Sequence, residues 1–110
     1  MNLNIISLES FKRDVKKLLK RYKQIANDLR TLQQELEQNP KAGIELGSHC
    51  YKIRVANSSV PTGKSGGFRV IYYYLDKKNN IYLMAIYSKN ELSNISESKI
   101  LTILKENDLL

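Results

Sequence analysis

The chain has 110 residues, 42% apolar and 26% charged, which leaves room for one hydrophobic core and excludes a disordered chain. Its 18 Lys and Arg against 11 Asp and Glu give a net charge of +7, which favours an acidic partner: nucleic acid, an anionic membrane face or an acidic protein. Cys50 is the single cysteine, so an intrachain disulfide is excluded and a reducing compartment is expected.

There is no run of about 18 apolar residues to span a bilayer. The opening MNLNIISLES lacks the basic and apolar regions of a secretory signal, so a cytoplasmic location is expected.

Residues 3–6 (LNII) read as a short first strand. Phe11, Val15, Leu18, Leu19 and Tyr22 then recur at the spacing of one helical face. A second helix carries Ile25, Leu29, Leu32 and Leu36 on its stripe, and Asn39-Pro40 stops it, because the residue before a proline is disfavoured in a helix. Both helices need a flat apolar surface to cover.

The C-terminal half supplies that surface. YKIRVAN alternates Tyr51, Ile53 and Val55 with Lys52 and Arg54, as a half-buried strand does. GFRVIYYYL and NIYLMAIYS are almost continuously apolar, as central strands are, and DKKNN between them reads as a hairpin turn. A short helix, SESKILTILKEN, closes the chain, with Ser96 as N-cap and Ile95 and Ile100 spaced as a hydrophobic staple. The expected fold is a single α+β domain over 1–110: a small twisted antiparallel sheet that includes a three-stranded meander, with an N-terminal helical hairpin packed on one face and a short C-terminal helix.

The acids are unevenly distributed. Between Glu45 and Asp76 no carboxylate occurs, while the same window holds His49, Lys52, Arg54, Lys64 and Arg69. Lys52 and Arg54 share one strand face, and Arg69 shares its face with Ile71 and Tyr73. An arginine on a central strand needs a partner, and either an external anion or a helix carboxylate such as Glu35 or Glu37 would serve.

TGKSGG is not a P-loop, since it lacks the upstream glycine and leads into a strand rather than a helix. The loop VPTGKSGG serves as a connector or brings Lys64 and backbone N–H groups to a phosphate. His49 beside Cys50 lacks the second pair that a zinc site needs. No acidic cluster near the sheet suggests a Mg²⁺ nuclease. Cys50 reads as a small buried hydrophobe rather than a nucleophile.

SFKRDVKKLLKRY, YKIRVA, TGKSGGFRVIYYY and MAIYSKNELSNIS together resemble the RelE/ParE toxin superfamily, in particular its HigB-like branch. The resemblance implies a toxin held inactive by a cognate antitoxin, with toxin–antitoxin complexes that also bind operator DNA. RelE and HigB types enter the ribosomal A site and cut mRNA without a metal or cofactor, the ribose 2′-OH attacking the adjacent phosphate. A sheet rich in cations suits that chemistry.

Carried over by motif, Lys52 and Arg54 match the paired basic residues of the family's KIK/KIR strand. Arg69 matches the arginine of the G-x-R-V strand, the choice for transition-state stabilisation. Lys89 lies in the segment where the family places further basic residues, with Tyr87 two positions before it. The resemblance thus implies catalytic roles for Arg54, Arg69, Tyr87 and Lys89, and RNA binding by Lys52 and Lys64. RelE itself has an arginine where this chain has Asn90, and a tyrosine beyond it where this chain reads Leu92-Ser93-Asn94-Ile95. Two other readings follow from the superfamily: a ParE-type gyrase inhibitor acting by protein binding, and an inactive member that binds only antitoxin.

Overall fold

The computed structural model describes residues 3–61 and 66–110. In chain order the elements are β1 (Asn4–Ser7), α1 (Glu9–Leu19), α2 (Ile25–Gln38), β2 (Ile44–Gly47), β3 (Cys50–Val55), β4 (Phe68–Leu75), β5 (Asn80–Ser88) and α3 (Glu97–Glu106). The strands form one five-stranded sheet in the order β1-β5-β4-β3-β2. Neighbours are antiparallel except β1, which lies parallel to β5 at one edge.

The expected meander is therefore the sheet's centre, and the chain extends it on both sides. β2 escapes a reading from sequence because all four of its residues are exposed and show no alternation. Its link to β3 gives no usual signal either. Gly47, Ser48 and His49 all have positive φ (98°, 51° and 64°), in a two-residue turn of the kind that Asn-Gly normally marks.

Two cores flank the sheet. On one face α1 and α2 bring Phe11, Leu18, Ile25, Leu32 and Leu36 onto Tyr51, Ile53, Val55, Phe68, Val70 and Tyr72. On the other, Ile103 and Leu104 of α3 cover Cys50, Ile71, Tyr73, Met84, Ala85 and Tyr87. The N-terminal helical hairpin packs on one face as expected, and the short C-terminal helix takes the other: β4 is buried along nearly its whole length, so its second side needs a cover as well. Ser96 caps α3, its Oγ accepting the Lys99 N–H at 3.2 Å.

One register break decides which side chains reach the second face. Ile71 pairs with Ala85 but Tyr72 pairs with Leu83, so Met84 is an extra residue in β5. Before the break Ile81 and Leu83 face α1 and α2; after it Ile86 does, and Ala85 and Tyr87 turn toward α3. Without the bulge, strict alternation would place Tyr87 with Ile81 and Leu83.

Candidate active site

On the α3 side, one row crosses three strands: Arg54 of β3 stands opposite Arg69 of β4, which stands opposite Tyr87 of β5. Side chains opposite each other in adjacent antiparallel strands have Cβ atoms about 5 Å apart, so the three side chains leave the sheet from neighbouring points on one face. Lys52 lies on the same face, two residues along β3, and pairs with Ile71. The structure thus gathers Lys52, Arg54, Arg69 and Tyr87.

Burial differs sharply along the row. Arg54 is exposed, whereas Arg69 and Tyr87 are each 7% accessible. Arg69 donates from Nη1 to the Phe68 carbonyl at 3.3 Å. It lies on the opposite side of the sheet from α2, so Glu35 and Glu37 stand across the sheet from it. Glu35 instead shares a shallow hollow with Lys52 and Arg54 at the β3 edge. Glu97 and Lys52 line a cleft of about 270 Å³ between α3 and the β2–β3 turn. The acid-free stretch of sequence is therefore not an acid-free surface, because α2 and α3 each bring one carboxylate to its border.

The Tyr87 hydroxyl donates to Asn94 Oδ1 at 3.3 Å, and the Ile95 N–H donates to the same oxygen at 3.0 Å. Burial raises the Tyr87 pKa above its ordinary value of 10.0, while Arg69 and the Ile95 N–H pull it down. The phenol is therefore neutral and proton-bearing at physiological pH. Asn94 is a site residue that sequence reasoning did not single out; it appeared only as one of the residues standing where a family tyrosine was expected.

Lys89 lies just beyond β5, exposed, with its backbone N–H on the Gly67 carbonyl at 3.0 Å and its Nζ on the Ser93 carbonyl at 2.9 Å. It borders the row rather than joining it. Lys64 lies outside the described residues. Cys50 is buried against Met84, the two sulfur atoms 3.8 Å apart, and burial pushes its thiol up to about 11. Such a thiol is a packing group and not a nucleophile. Among the described residues no helix is long and apolar enough to cross a membrane.

The family profile described as the RelE toxin of the RelE/RelB toxin–antitoxin system matches residues 9–107. Among solved structures, an arginine-to-alanine double mutant of E. coli toxin RelE in the free state is similar, with a TM-score of 0.60 and 18% identity over 96% of this chain and 98% of that one. The intact E. coli RelBE toxin–antitoxin complex matches with a TM-score of 0.56 and 20% identity, over 79% of this chain and 96% of that one. The isolated E. coli RelE toxin matches with a TM-score of 0.53 and 17% identity, over 96% of this chain and 99% of that one. Identities this low speak for the fold alone, and the profile, spanning nearly all of the chain, carries the family: this protein belongs to the RelE toxin family of toxin–antitoxin systems.

Proposed function

We propose that this toxin is a ribosome-dependent mRNA endoribonuclease of the HigB-like kind, acting in the cytoplasm and cutting the message in the A site without a metal. The observation that carries this reading is the Arg54–Arg69–Tyr87 row on one sheet face. The ribose 2′-OH gives its proton to water as its oxygen attacks the adjacent phosphorus, a 2′,3′-cyclic phosphate forms, and the P–O5′ bond breaks. The two guanidinium groups balance the charge that builds on the phosphorane oxygens. Tyr87, neutral and close to Arg69, supplies the proton that the departing 5′-oxygen needs. Lys52, with Lys64 from its loop, holds flanking phosphates, and Lys89 adds positive charge at the rim.

An antitoxin segment covering the basic face would silence this chemistry, and RelB partners RelE in the E. coli RelBE complex. The same complex acting on operator DNA belongs to this proposal. The test is induction of the toxin alone followed by mapping of mRNA 5′ ends. Wild type gives cuts at A-site codons and Arg69→Ala gives none while remaining folded. Intact messages with loss of DNA supercoiling would support the gyrase reading instead, and a wild-type protein that arrests nothing would support the inactive, antitoxin-binding reading.

A further inference from the structure

The bulge that delivers Tyr87 to the basic face is held by side chains of α1. β1 ends at Ser7, opposite Leu83, so the rest of β5 has no strand partner on that side. Its outward backbone groups meet α1 instead. The Leu83 carbonyl accepts the Leu8 N–H at 3.0 Å, the Met84 carbonyl accepts Ser10 Oγ at 2.6 Å, and the Ile86 N–H donates to Asp14 Oδ2 at 3.1 Å.

Successive carbonyls of a regular strand point to opposite edges, yet those of Leu83 and Met84 both point to α1. That is the local signature of the bulge, and it turns outward two groups a straight strand would place differently. A buried backbone N–H or C=O without a partner costs about 1–3 kcal/mol, so the bulge persists only where something satisfies both groups. The residue after Ile86 is Tyr87.

We propose that Asp14, assisted by Ser10, is a positioning residue for Tyr87: its carboxylate secures the outward Ile86 N–H and so holds the bulge that rotates Tyr87 onto the face of Arg69. Asp14 sits in the middle of a cationic helix, with Arg13 and Lys17 beside it and Lys99 of α3 acting on it electrostatically. Those cations keep an acceptor oxygen in place where burial opposes charge. The functional part of this inference rests on the reading of Tyr87 as proton donor; the geometric part does not.

The test compares Asp14→Ala with Asp14→Asn, which keeps an acceptor oxygen. Two-dimensional NMR reads the Ile86 amide's exchange protection and the nuclear Overhauser contacts of the Tyr87 ring to Arg69 and Ile95. Ribosome-dependent cleavage is measured beside them. Asp14→Ala loses the protection and the ring contacts, and its cleavage rate falls to that of Tyr87→Phe with no further loss in the double variant. Asp14→Asn retains all three. Should Asp14→Ala not fold, Ser10→Ala, which removes only the bond to the Met84 carbonyl, weakens the same contacts.

Ring contacts and protection that persist in folded Asp14→Ala overturn the inference. So does a double variant that loses activity additively. If Tyr87→Phe cleaves at the wild-type rate, the proton-donor role falls and the NMR readings alone judge the placement.

Discussion

Arg69 and Tyr87 are direct partners in the β4–β5 ladder, and each residue is only 7% exposed. Burying a cation beside a phenol brings a neutral proton donor to fixed positive charge, and it removes both from the solvent that would compete for a phosphate. The segment after β5 folds over the pair: Asn94 takes the phenol's hydrogen bond, Lys89 ties back to Ser93, and Glu91 pairs at 2.6 Å with Arg21, in the turn that follows α1.

Tyr87→Phe separates the phenol from its ring. The ring keeps its place among Ile71, Tyr73 and Ile95, so the fold loses only the bond to Asn94, about 0.5–1.5 kcal/mol. Cleavage falls by about a hundredfold or more, the usual contribution of a positioned proton donor. Single-turnover cleavage of ribosome-bound message measures the rate, and thermal melting measures the fold. Because the wild-type phenol titrates above its ordinary value, its ionisation brings no fall in rate between pH 7 and pH 9.

Arg54→Gln moves activity and stability in opposite directions. Like charges directly opposite in a ladder repel, and Arg54 faces Arg69. Removing the exposed partner relieves that repulsion, so the free protein melts at a slightly higher temperature, while cleavage drops by about tenfold or more as one of two guanidinium groups leaves the phosphorane. A melting curve beside a cleavage assay reads both. A variant that is both less stable and fully active would contradict the assignment of this pair to substrate charge.

Much of this arrangement was legible in the order of residues, and the unreadable parts have local causes. Period-two alternation put Lys52 with Arg54, and Arg69 with Ile71 and Tyr73, on single faces, which the two cores reproduce. The Ser96 cap and the stop after Gln38 were equally plain. Alternation fails at Met84, where one extra residue exchanges the two faces of β5, and the backbone groups it turns outward meet a pair of polar residues some seventy positions earlier on α1. β2 was hidden because its four residues are all exposed and its turn is made by Ser48 and His49 rather than by the Asn-Gly or Asp-Gly pair that marks a hairpin. Which acids would approach the basic strand depended on how α2 and α3 dock, and no periodicity carries that.

Cys50 gives a reading of burial that needs no activity. Burial inside the second core pushes its thiol up to about 11, so little thiolate exists at pH 8. Alkylation by iodoacetamide is therefore slow in the native protein and becomes fast in denaturant. Rapid labelling of folded protein would show that α3 leaves the sheet readily.

Asp14 imposes a pH dependence on stability. Burial raises its folded-state pKa above 3.8, against the Ile86 N–H and the nearby cations. As pH climbs from about 3.8 through the folded value, the unfolded chain loses its proton first, so stability from this group is fully present at lower pH and declines across that window. Asp14→Asn removes the decline and keeps the hydrogen bond to Ile86, so it is at least as stable as wild type at pH 7. Denaturant unfolding from pH 3.5 to pH 7 compares the two curves. An unchanged slope in Asp14→Asn would assign the pH dependence to other carboxylates.

Gly67 tests why a glycine precedes the strand that carries Arg69. A Cβ at this position would overlap the Val55 carbonyl oxygen and stand 3.0 Å from the Asn57 N–H nitrogen, both backbone atoms that have little freedom to move. Gly67 also gives its carbonyl to the Lys89 N–H, so β3, β4 and the end of β5 close on one another here. Gly67→Ala must push β3 away from β4 beside the Arg54–Arg69 pair, at a cost of about 1–3 kcal/mol or more. The expected result is a lower melting temperature and a cleavage loss larger than global unfolding accounts for, because the two arginines separate before the core fails. A Gly67→Ala protein with native stability and full cleavage would mean that the strands approach less closely here.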